Sequence, residues 1–225
     1  MTSPQLISIQ VGSPKQHGVV GSKKPMERPF QSGIFKETVS GPVWLGSLNL
    51  AGDGQADLEN HGGPFRAVLA YSADHYPVWR EELGMPDLPY GAFGENFTIA
   101  DLEEKTVCLG DIYEIGAVRL QVSQPRLPCW KLVRRWNIND LTARVQERGW
   151  GGWYQRVLQE GYVEAGTPVQ LIERPYPQYP ILKLLVLMYR LIELPDVVAD
   201  LASLEVLSPS WRETFTRYAA EAGVS

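Results

Sequence analysis

Residues 110–132, GDIYEIGAVRLQVSQPRLPCWKL, form the stretch that decides the fold. Residues 111–115 and 118–123 are two segments in which apolar and polar residues are mixed, and a Gly-Ala pair joins them. In the second run, Leu120 and Val122 alternate with polar neighbours. Because successive side chains of a strand point to opposite faces, this period of two predicts a β-hairpin with one buried and one polar face.

Similar short apolar or β-branched segments, separated by Gly and Pro, occur at residues 6–11, 43–48, 67–71, 97–99, 112–115 and 118–123. This spacing predicts a mainly β fold, a mostly antiparallel barrel. Helical spacing predicts two decorating helices at residues 73–83 and 139–148.

The composition changes to helix formers after the Pro- and Tyr-rich residues 175–180. Helices are predicted at residues 181–192, 196–204 and 210–222. We therefore predict a β-barrel domain over residues 1–175 and a C-terminal helical appendage over residues 176–225.

The 225 residues carry 21 Lys and Arg against 26 Asp and Glu, a net charge of −5. Phosphate backbones require clustered cations, so no nucleic-acid partner is expected and any anion site must be local. No uncharged apolar run of membrane-spanning length and no signal peptide is seen, which predicts a cytoplasmic protein without a membrane contact. The two cysteines are too few for a disulfide scaffold and fit a reducing compartment.

Cys129 is the first candidate functional residue. Pro125 and Pro128 fix the backbone before it, and Arg126 and Lys131 flank it. Nearby cations stabilise the thiolate, which is the metal-binding form of cysteine. The alternative is a buried, inert cysteine, and the flanking cations favour the thiolate.

A glycine-rich stretch over residues 52–66 is the second candidate. Gly62 and Gly63 allow backbone amides to approach an anion, and His61 and Arg66 add donors and positive charge. The stretch predicts a phosphate or oxyanion cradle. The alternative is a Gly-rich turn that leads into the strand at Ala67.

Three further positions carry polar groups without deciding a function alone. Lys36 stands in an apolar segment, where a solvated surface lysine is the alternative. Glu95 and Asn96 precede a strand, where a turn-and-cap pair is the alternative. The three histidines lack metal-ligand spacing, so His75 is expected at the surface or in a supporting position.

Six collinear motifs resemble the YiiM-type members of the MOSC family and together span nearly the whole chain. They are SGIFKETVSGPVWL (32–45), LNLAGDGQADLENHGGPFRAV (48–68), YSADHY (71–76), GENFT (94–98), the 110–132 stretch and SPSWRETF (208–215). The resemblance implies a MOSC-type β-barrel with a C-terminal helical bundle that binds the molybdenum cofactor through molybdopterin. It carries Cys129 over as the molybdenum ligand. The implied pocket residues are Lys36, Asp57, His61, Gly62, Gly63, Arg66, Glu95, Asn96, Gln124 and Arg126.

The resemblance also implies an activity, the reduction of N-hydroxylated compounds such as 6-hydroxylaminopurine. The cationic residues would anchor the cofactor phosphate, and Glu95, Asp57 or Asn96 would deliver protons or hydrogen-bond the pterin. The sequence has no Cys-rich iron–sulfur segment, so electrons are expected from a separate reductase, a flavoprotein. The alternatives are a cofactor or sulfur carrier without turnover and a structural anion-binding barrel.

For four aromatic residues near the end of the barrel region, the sequence does not decide between a place in the core, in a pocket wall or at an interface. These residues are Trp136, Trp150, Trp153 and Tyr154. A homodimer is the expected assembly.

Overall fold

The computed structural model describes residues 3–189, 195–221 and 223. The strands are β1 (Gln5–Val11), β2 (Lys15–His17), β3 (Phe30–Ser32), β4 (Glu37–Val39), β5 (Val43–Leu45), β6 (Val68–Ser72), β7 (Phe97–Ala100), β8 (Ile112–Ile115), β9 (Val118–Pro125), β10 (Trp153–Gln159), β11 (Gly161–Val163) and β12 (Val169–Glu173). The α-helices are α1 (Leu58–His61), α2 (Tyr76–Glu82), α3 (Trp130–Trp136), α4 (Leu141–Arg148), α5 (Ile181–Tyr189), α6 (Pro195–Ser203) and α7 (Pro209–Glu221). The fold is mainly β with helices, as the sequence predicts. None of the helices in these ranges is long and apolar enough to cross a bilayer.

Eight strands form one large sheet in the order β12-β8-β9-β10-β6-β7-β1-β4. Its strand pairs are antiparallel except β6 with β7. The predicted barrel is not confirmed, because strand pairing among the described residues does not return from β4 to β12. The Leu6 amide does donate to the Thr167 carbonyl at 3.0 Å, so β1 lies beside the chain that enters β12.

The predicted hairpin is confirmed as β8 and β9, which pair from Ile112 opposite Gln121 to Ile115 opposite Val118. Gly116 takes a left-handed conformation in the turn, with a φ of 60°. Buried and less buried side chains alternate along β8. The apolar side chains of β9 enter the main core, where burial of each contributes about 1.5–3 kcal/mol.

A second apolar cluster is built from α5, α6, α7 and the neighbouring Leu109 and Tyr179. Trp211 and Phe215 of α7 lie inside it. Helix α5 serves both cores, because Ile181 and Leu185 belong to the core of the sheet while Leu184 and Leu187 belong to the helical cluster. The predicted boundary at residue 175 stays a prediction.

Several element boundaries differ from the sequence prediction. Residues 73–75 form a 3-10 turn before α2, and α4 begins at Leu141. The predicted ends of the helices at residues 192 and 222 lie outside the described residues. Strands β2 to β4 and β10 to β12 were not predicted. In β10 the buried polar residue Gln155 obscures the period of two.

Candidate functional site

A cleft of about 620 Å³, counting its open mouth, lies where β9 ends and α3 begins. Its lining comes from stretches that are far apart in sequence. Seven of the predicted site residues line it: Lys36, Asp57, His61, Arg66, Asn96, Arg126 and Cys129.

Cys129 is the N-cap residue of α3, where its backbone is extended (φ −110°, ψ 163°). Burial of the thiol raises its pKa. Hydrogen bonding with His61, the charge of Arg126 and the backbone amide of Lys131 together outweigh burial and lower the pKa to about 7. The Cys129 thiolate is therefore well populated at neutral pH, and the predicted reactive cysteine is favoured over an inert one.

Arg126 supplies a buried cation beside that thiolate. Its residue is 5% exposed, and its Nη2 donates to the Phe93 carbonyl at 2.9 Å. Its Nη1 is buried and has no hydrogen-bond partner among the described residues. An unsatisfied buried guanidinium N–H is costly, so an anionic ligand that accepts from it would be stabilised.

His61, the last residue of α1, also lines the cleft beside Cys129. Its Nδ1 is 3.6 Å from Asp57 Oδ2, beyond good hydrogen-bond distance, and also has no hydrogen-bond partner among the described residues. Asp57 caps α1, because its Oδ1 accepts from the Asn60 amide at 3.0 Å. That amide and the Asn60 side chain lower the pKa of Asp57.

The two glycines of the predicted cradle do not line the cleft. The Gly62 amide donates to the Leu58 carbonyl at 3.2 Å, so it completes α1 instead of facing an anion. Gly63 has a φ of 90° and caps the turn that leads to Arg66. Arg66 does line the cleft, and its guanidinium donates to the Glu59 carbonyl at 3.3 Å and to Ser210 Oγ at 2.9 Å.

A buried ion pair between Lys36 and Asp53 forms part of the cleft wall. Burial lowers the pKa of Lys36, and the carboxylate of Asp53 opposes that effect. Asp53 also accepts from Asn96 Nδ2 at 2.8 Å and from the Gly12 amide at 2.8 Å. Lys36 is thus a wall residue and not a solvated surface lysine. Asp53 was not predicted, although a lysine in an apolar segment indicates a buried acidic partner.

Glu95 is fully buried and lies beneath the wall, outside the lining of the cleft. Tyr76 donates to its carboxylate, as do the amides of Gly91 at 2.7 Å and Phe93 at 3.1 Å. These bonds hold the loop that ends at Asn96. Asn96 Oδ1 in turn accepts from the Leu69 amide at 3.1 Å, which ties that loop to β6.

Gln124 is the remaining predicted pocket residue. It lies on β9 opposite Tyr154, is 3% exposed and does not line the cleft, and its Oε1 has no partner among the described residues. Tyr154 and Lys131, which were not among the predicted pocket residues, line the cleft.

His75 is 2% exposed, so of the two expected positions, at the surface or in a supporting place, the surface position is wrong. Its Nε2 lies 2.7 Å from Glu104 Oε2, and its ring stacks on Trp150 at 4.1 Å. The other Glu104 oxygen accepts from the Gly152 amide at 2.8 Å. The group therefore supports the chain before β10. In the described part of the chain no three His, Cys, Asp or Glu side chains cluster to hold a metal ion.

The four aromatic residues left open by the sequence occupy different environments. Trp153 is a core residue, and Tyr154 lines the cleft. Trp136 and Trp150 pack against a third apolar cluster around α2 and α4, and Trp136 Nε1 donates to the Ala92 carbonyl at 2.8 Å. The expected homodimer stays a prediction.

Comparison with known proteins identifies the class to which this fold and cleft belong. The MOSC domain family model matches residues 57–170, which include Cys129 and most of the cleft. The chain therefore belongs to the MOSC domain family. It is 40% identical over 145 residues to Protein YiiM of Escherichia coli (strain K12), 64% of this chain and 65% of that protein. This similarity and that to a second YiiM, given below, make it a YiiM-type MOSC protein.

Three relatives span much of the chain. The crystal structure of YiiM from Geobacillus stearothermophilus is 36% identical, has a TM-score of 0.79 and covers 96% of this chain and 99% of that one. The Uncharacterized protein YflK of Bacillus subtilis (strain 168) is 38% identical over 212 residues, 94% of this chain and 93% of that protein. A protein of Gibberella moniliformis named Reductase is 39% identical over 180 residues, 79% of this chain but 31% of that protein.

Proposed function

We propose that the protein is a molybdenum-cofactor-dependent reductase of N-hydroxylated compounds, with 6-hydroxylaminopurine as a representative substrate. One observation carries the proposal. A cysteine thiol with a pKa of about 7 opens into a cleft beside a buried guanidinium that has a free N–H group. Membership in the MOSC family supports the cofactor. The name of the fungal relative, Reductase, supports the type of reaction.

The donor set of the cleft fits such a cofactor. Thiolate sulfur is a soft ligand of the kind that redox metals of this class accept, and Cys129 is the thiolate in this cleft. A terminal phosphate requires cationic or N–H donors. The unpartnered Arg126 Nη1 and His61 Nδ1 meet that requirement. We assign Lys36 and Arg66 to the phosphate as further cations. Gln124 does not line the cleft but lies on β9 opposite Tyr154, which does.

When bound, the molybdenum centre supplies the two-electron chemistry, R–NH–OH + 2 e⁻ + 2 H⁺ → R–NH₂ + H₂O. The chain itself contributes binding and orientation. Cys129 would hold the metal, and the cations would hold the phosphate. Asp57 and Asn96 both line the cleft, where either side chain would hydrogen-bond the pterin and the Asp57 carboxyl would pass a proton. We assign Glu95 to positioning, because its carboxylate fixes the loop that carries Asn96.

Cofactor content and turnover test the proposal on one sample. Protein purified from a cofactor-competent host should contain molybdenum and pterin in equal amounts and, with dithionite as reductant, convert 6-hydroxylaminopurine to adenine. Cys129→Ser should lose bound molybdenum and turnover. Cys108→Ser is the matched control, since Cys108 is buried away from the cleft. Retained turnover in Cys129→Ser would contradict the metal-ligand role.

The same experiment separates the alternative functions. Stoichiometric cofactor without turnover would favour a cofactor carrier, and a persulfide on Cys129 would favour a sulfur carrier. Protein without cofactor, even after reconstitution, would leave an anion-binding protein.

A further inference from the structure

Positive charge is concentrated in two short segments of this acidic chain. Residues 12–32 and 130–136 together hold seven of the 21 Lys and Arg but only Glu27 of the 26 Asp and Glu. These segments carry a formal charge of +6 and the rest of the chain −11, which gives the net −5. Such a separation produces a directed field that the net charge does not reveal.

The two segments are in contact. The rings of Phe30 and Trp130 meet edge to face at 5.4 Å between centroids. The guanidinium of Arg134 lies 4.5 Å from the Phe30 ring centre and donates to the Arg28 carbonyl. The hairpin of β2 and β3 is thereby fixed on α3, so its cations and those of α3 belong to one surface.

That surface lies at the mouth of the cleft. Ser32 and Gly33, at the end of the hairpin, line the cleft together with Cys129 and Lys131. Arg135 points inward and donates to the Gly91 carbonyl at 2.6 Å, so it does not contribute to this surface. We call the remaining surface the basic rim, which consists of Lys15, Val19, Val20, Lys23, Lys24, Arg28, Phe30, Trp130, Lys131 and Arg134.

The basic rim also exposes apolar side chains. Trp130 is 53% exposed, and Val20 is 81% exposed. Lys24 pairs with Glu27 at 2.9 Å, whereas Lys15, Lys23 and Arg28 have no side-chain partner among the residues described. Unpaired cations around an exposed Trp are typical of a protein interface, where Trp and Arg carry much of the binding energy.

We propose that the basic rim docks an acidic flavoprotein that delivers electrons to the cleft, an inference that rests on the proposed reductase function. The reaction needs two electrons, and the two cysteines of these 225 residues are fewer than the four thiolates of an ordinary iron–sulfur cluster. A flavin hydroquinone supplies both electrons and both protons of the reaction: FlH₂ + R–NH–OH → Fl + R–NH₂ + H₂O. The rim is complementary in charge to such a donor and borders the cleft that contains Cys129.

Kinetics with two donors test the proposal on the cofactor-loaded protein. The probe is reduced flavodoxin, an acidic flavoprotein, and dithionite is the small-molecule donor. Lys15→Glu/Lys23→Glu/Arg28→Glu reverses three exposed charges that do not line the cleft. At low salt it should lower kcat/KM for flavodoxin by about tenfold or more and flatten its dependence on ionic strength. Turnover with dithionite should stay unchanged.

Lys105→Glu is the matched control. Lys105 is exposed, pairs with Glu103 at 2.8 Å and lies outside the rim, so its variant should keep the flavodoxin rate. An unchanged flavodoxin rate in the triple variant would overturn the proposal. So would an equal loss of rate in Lys105→Glu.

A direct binding measurement tests the docking proposal independently of the proposed reductase function. No turnover with dithionite in the wild type would remove the reductase function itself. Calorimetric titration with flavodoxin at low salt still reports docking, and binding that is lost in the triple variant and kept in Lys105→Glu is the expected result. Tighter binding of a single-stranded oligonucleotide, lost in the same variant, would overturn the proposal in favour of a nucleic-acid surface.

Discussion

The Cys129 thiol is subject to two opposing effects, burial and the donors around it, and a titration measures their balance. Because only the thiolate is alkylated, the rate of Cys129 alkylation in cofactor-free protein should be half-maximal near pH 7 and fall about tenfold per pH unit below it. His61→Ala should move the midpoint to higher pH, since a group that lowers the pKa is removed. Iodoacetamide labelling followed by mass spectrometry measures both profiles.

Cys108 serves as the internal control for that titration. Burial and the Asp111 carboxylate raise its pKa, so it should react slowly at every pH where Cys129 reacts fast. An identical Cys129 profile in wild type and His61→Ala would refute the role given to His61.

Replacement of Arg126 tests whether its guanidinium binds the anionic group of the cofactor. Arg126→Ala removes the unpartnered Nη1, and a charge-assisted hydrogen bond contributes about 1.5–3 kcal/mol, which corresponds to roughly 10- to 100-fold in affinity. We expect the variant to lose cofactor on dialysis that the wild type retains, as measured by the ratio of molybdenum to protein. Arg119→Ala, at an exposed ion pair with Glu114, should retain it. Equal retention in both variants would remove Arg126 from the binding set.

Residue type and order in the sequence were enough to predict many of the cleft residues but not the direction of their side chains. Glu95 and Asn96 are neighbours, yet Asn96 lines the cleft and Glu95 lies beneath it. Successive side chains of an extended segment alternate between faces, and the sequence does not reveal which face is the pocket. Asp53 was missed for a related reason, because its role depends on a contact with Lys36 that only the fold creates.

At the level of elements, β8 and β9 could be predicted because their apolar residues keep a period of two around a short turn. Strand β10 could not, since Gln155 is buried opposite Val122 and breaks the pattern. The closed barrel expected from the strand spacing depends on pairing between distant strands, which local patterning does not specify.

Gly152 immediately precedes strand β10 and is hydrogen-bonded to Arg126, a residue that lines the cleft. Its carbonyl accepts from the Arg126 amide at 3.0 Å, and its φ is 79°. A Cβ there would lie 2.4 Å from the Ala70 carbonyl oxygen. Gly152→Ala should therefore lower the free energy of unfolding by about 2–4 kcal/mol, because backbone strain and a clash with backbone combine. Urea unfolding followed by fluorescence measures the loss.

Gly166→Ala is the matched control for that change. Gly166 has a similar φ of 89°, but a Cβ there would meet nothing within 4 Å. It should cost only about 1–2 kcal/mol, the conformational part of the effect. Equal losses in the two variants would show that the contact with β6 is unimportant.

At the scale of the whole molecule, the net charge does not reveal how the charges are distributed over the surface. The net charge of −5 argues against a large anionic partner. The hairpin of β2 and β3 is separated from α3 by about a hundred residues in the sequence, yet the fold brings their cations into one surface. The basic rim therefore could not be predicted from composition, because it arises from tertiary contact.

The two apolar cores share α5, and this sharing predicts how the molecule unfolds. Ile181 and Leu185 pack in the core of the sheet while Leu184 and Leu187 pack against α6 and α7, so melting of the helical cluster would expose part of the sheet core. Phe215 is fully buried in the helical cluster. Phe215→Ala should lower the free energy of unfolding by about 3–5 kcal/mol while circular dichroism and tryptophan fluorescence still report one coincident transition. Tyr162→Ala, at a side chain that is 61% exposed, should change it little. A separate early transition in Phe215→Ala, with the transition of the sheet unmoved, would show instead that the C-terminal helices fold as an independent unit from residue 176 onward.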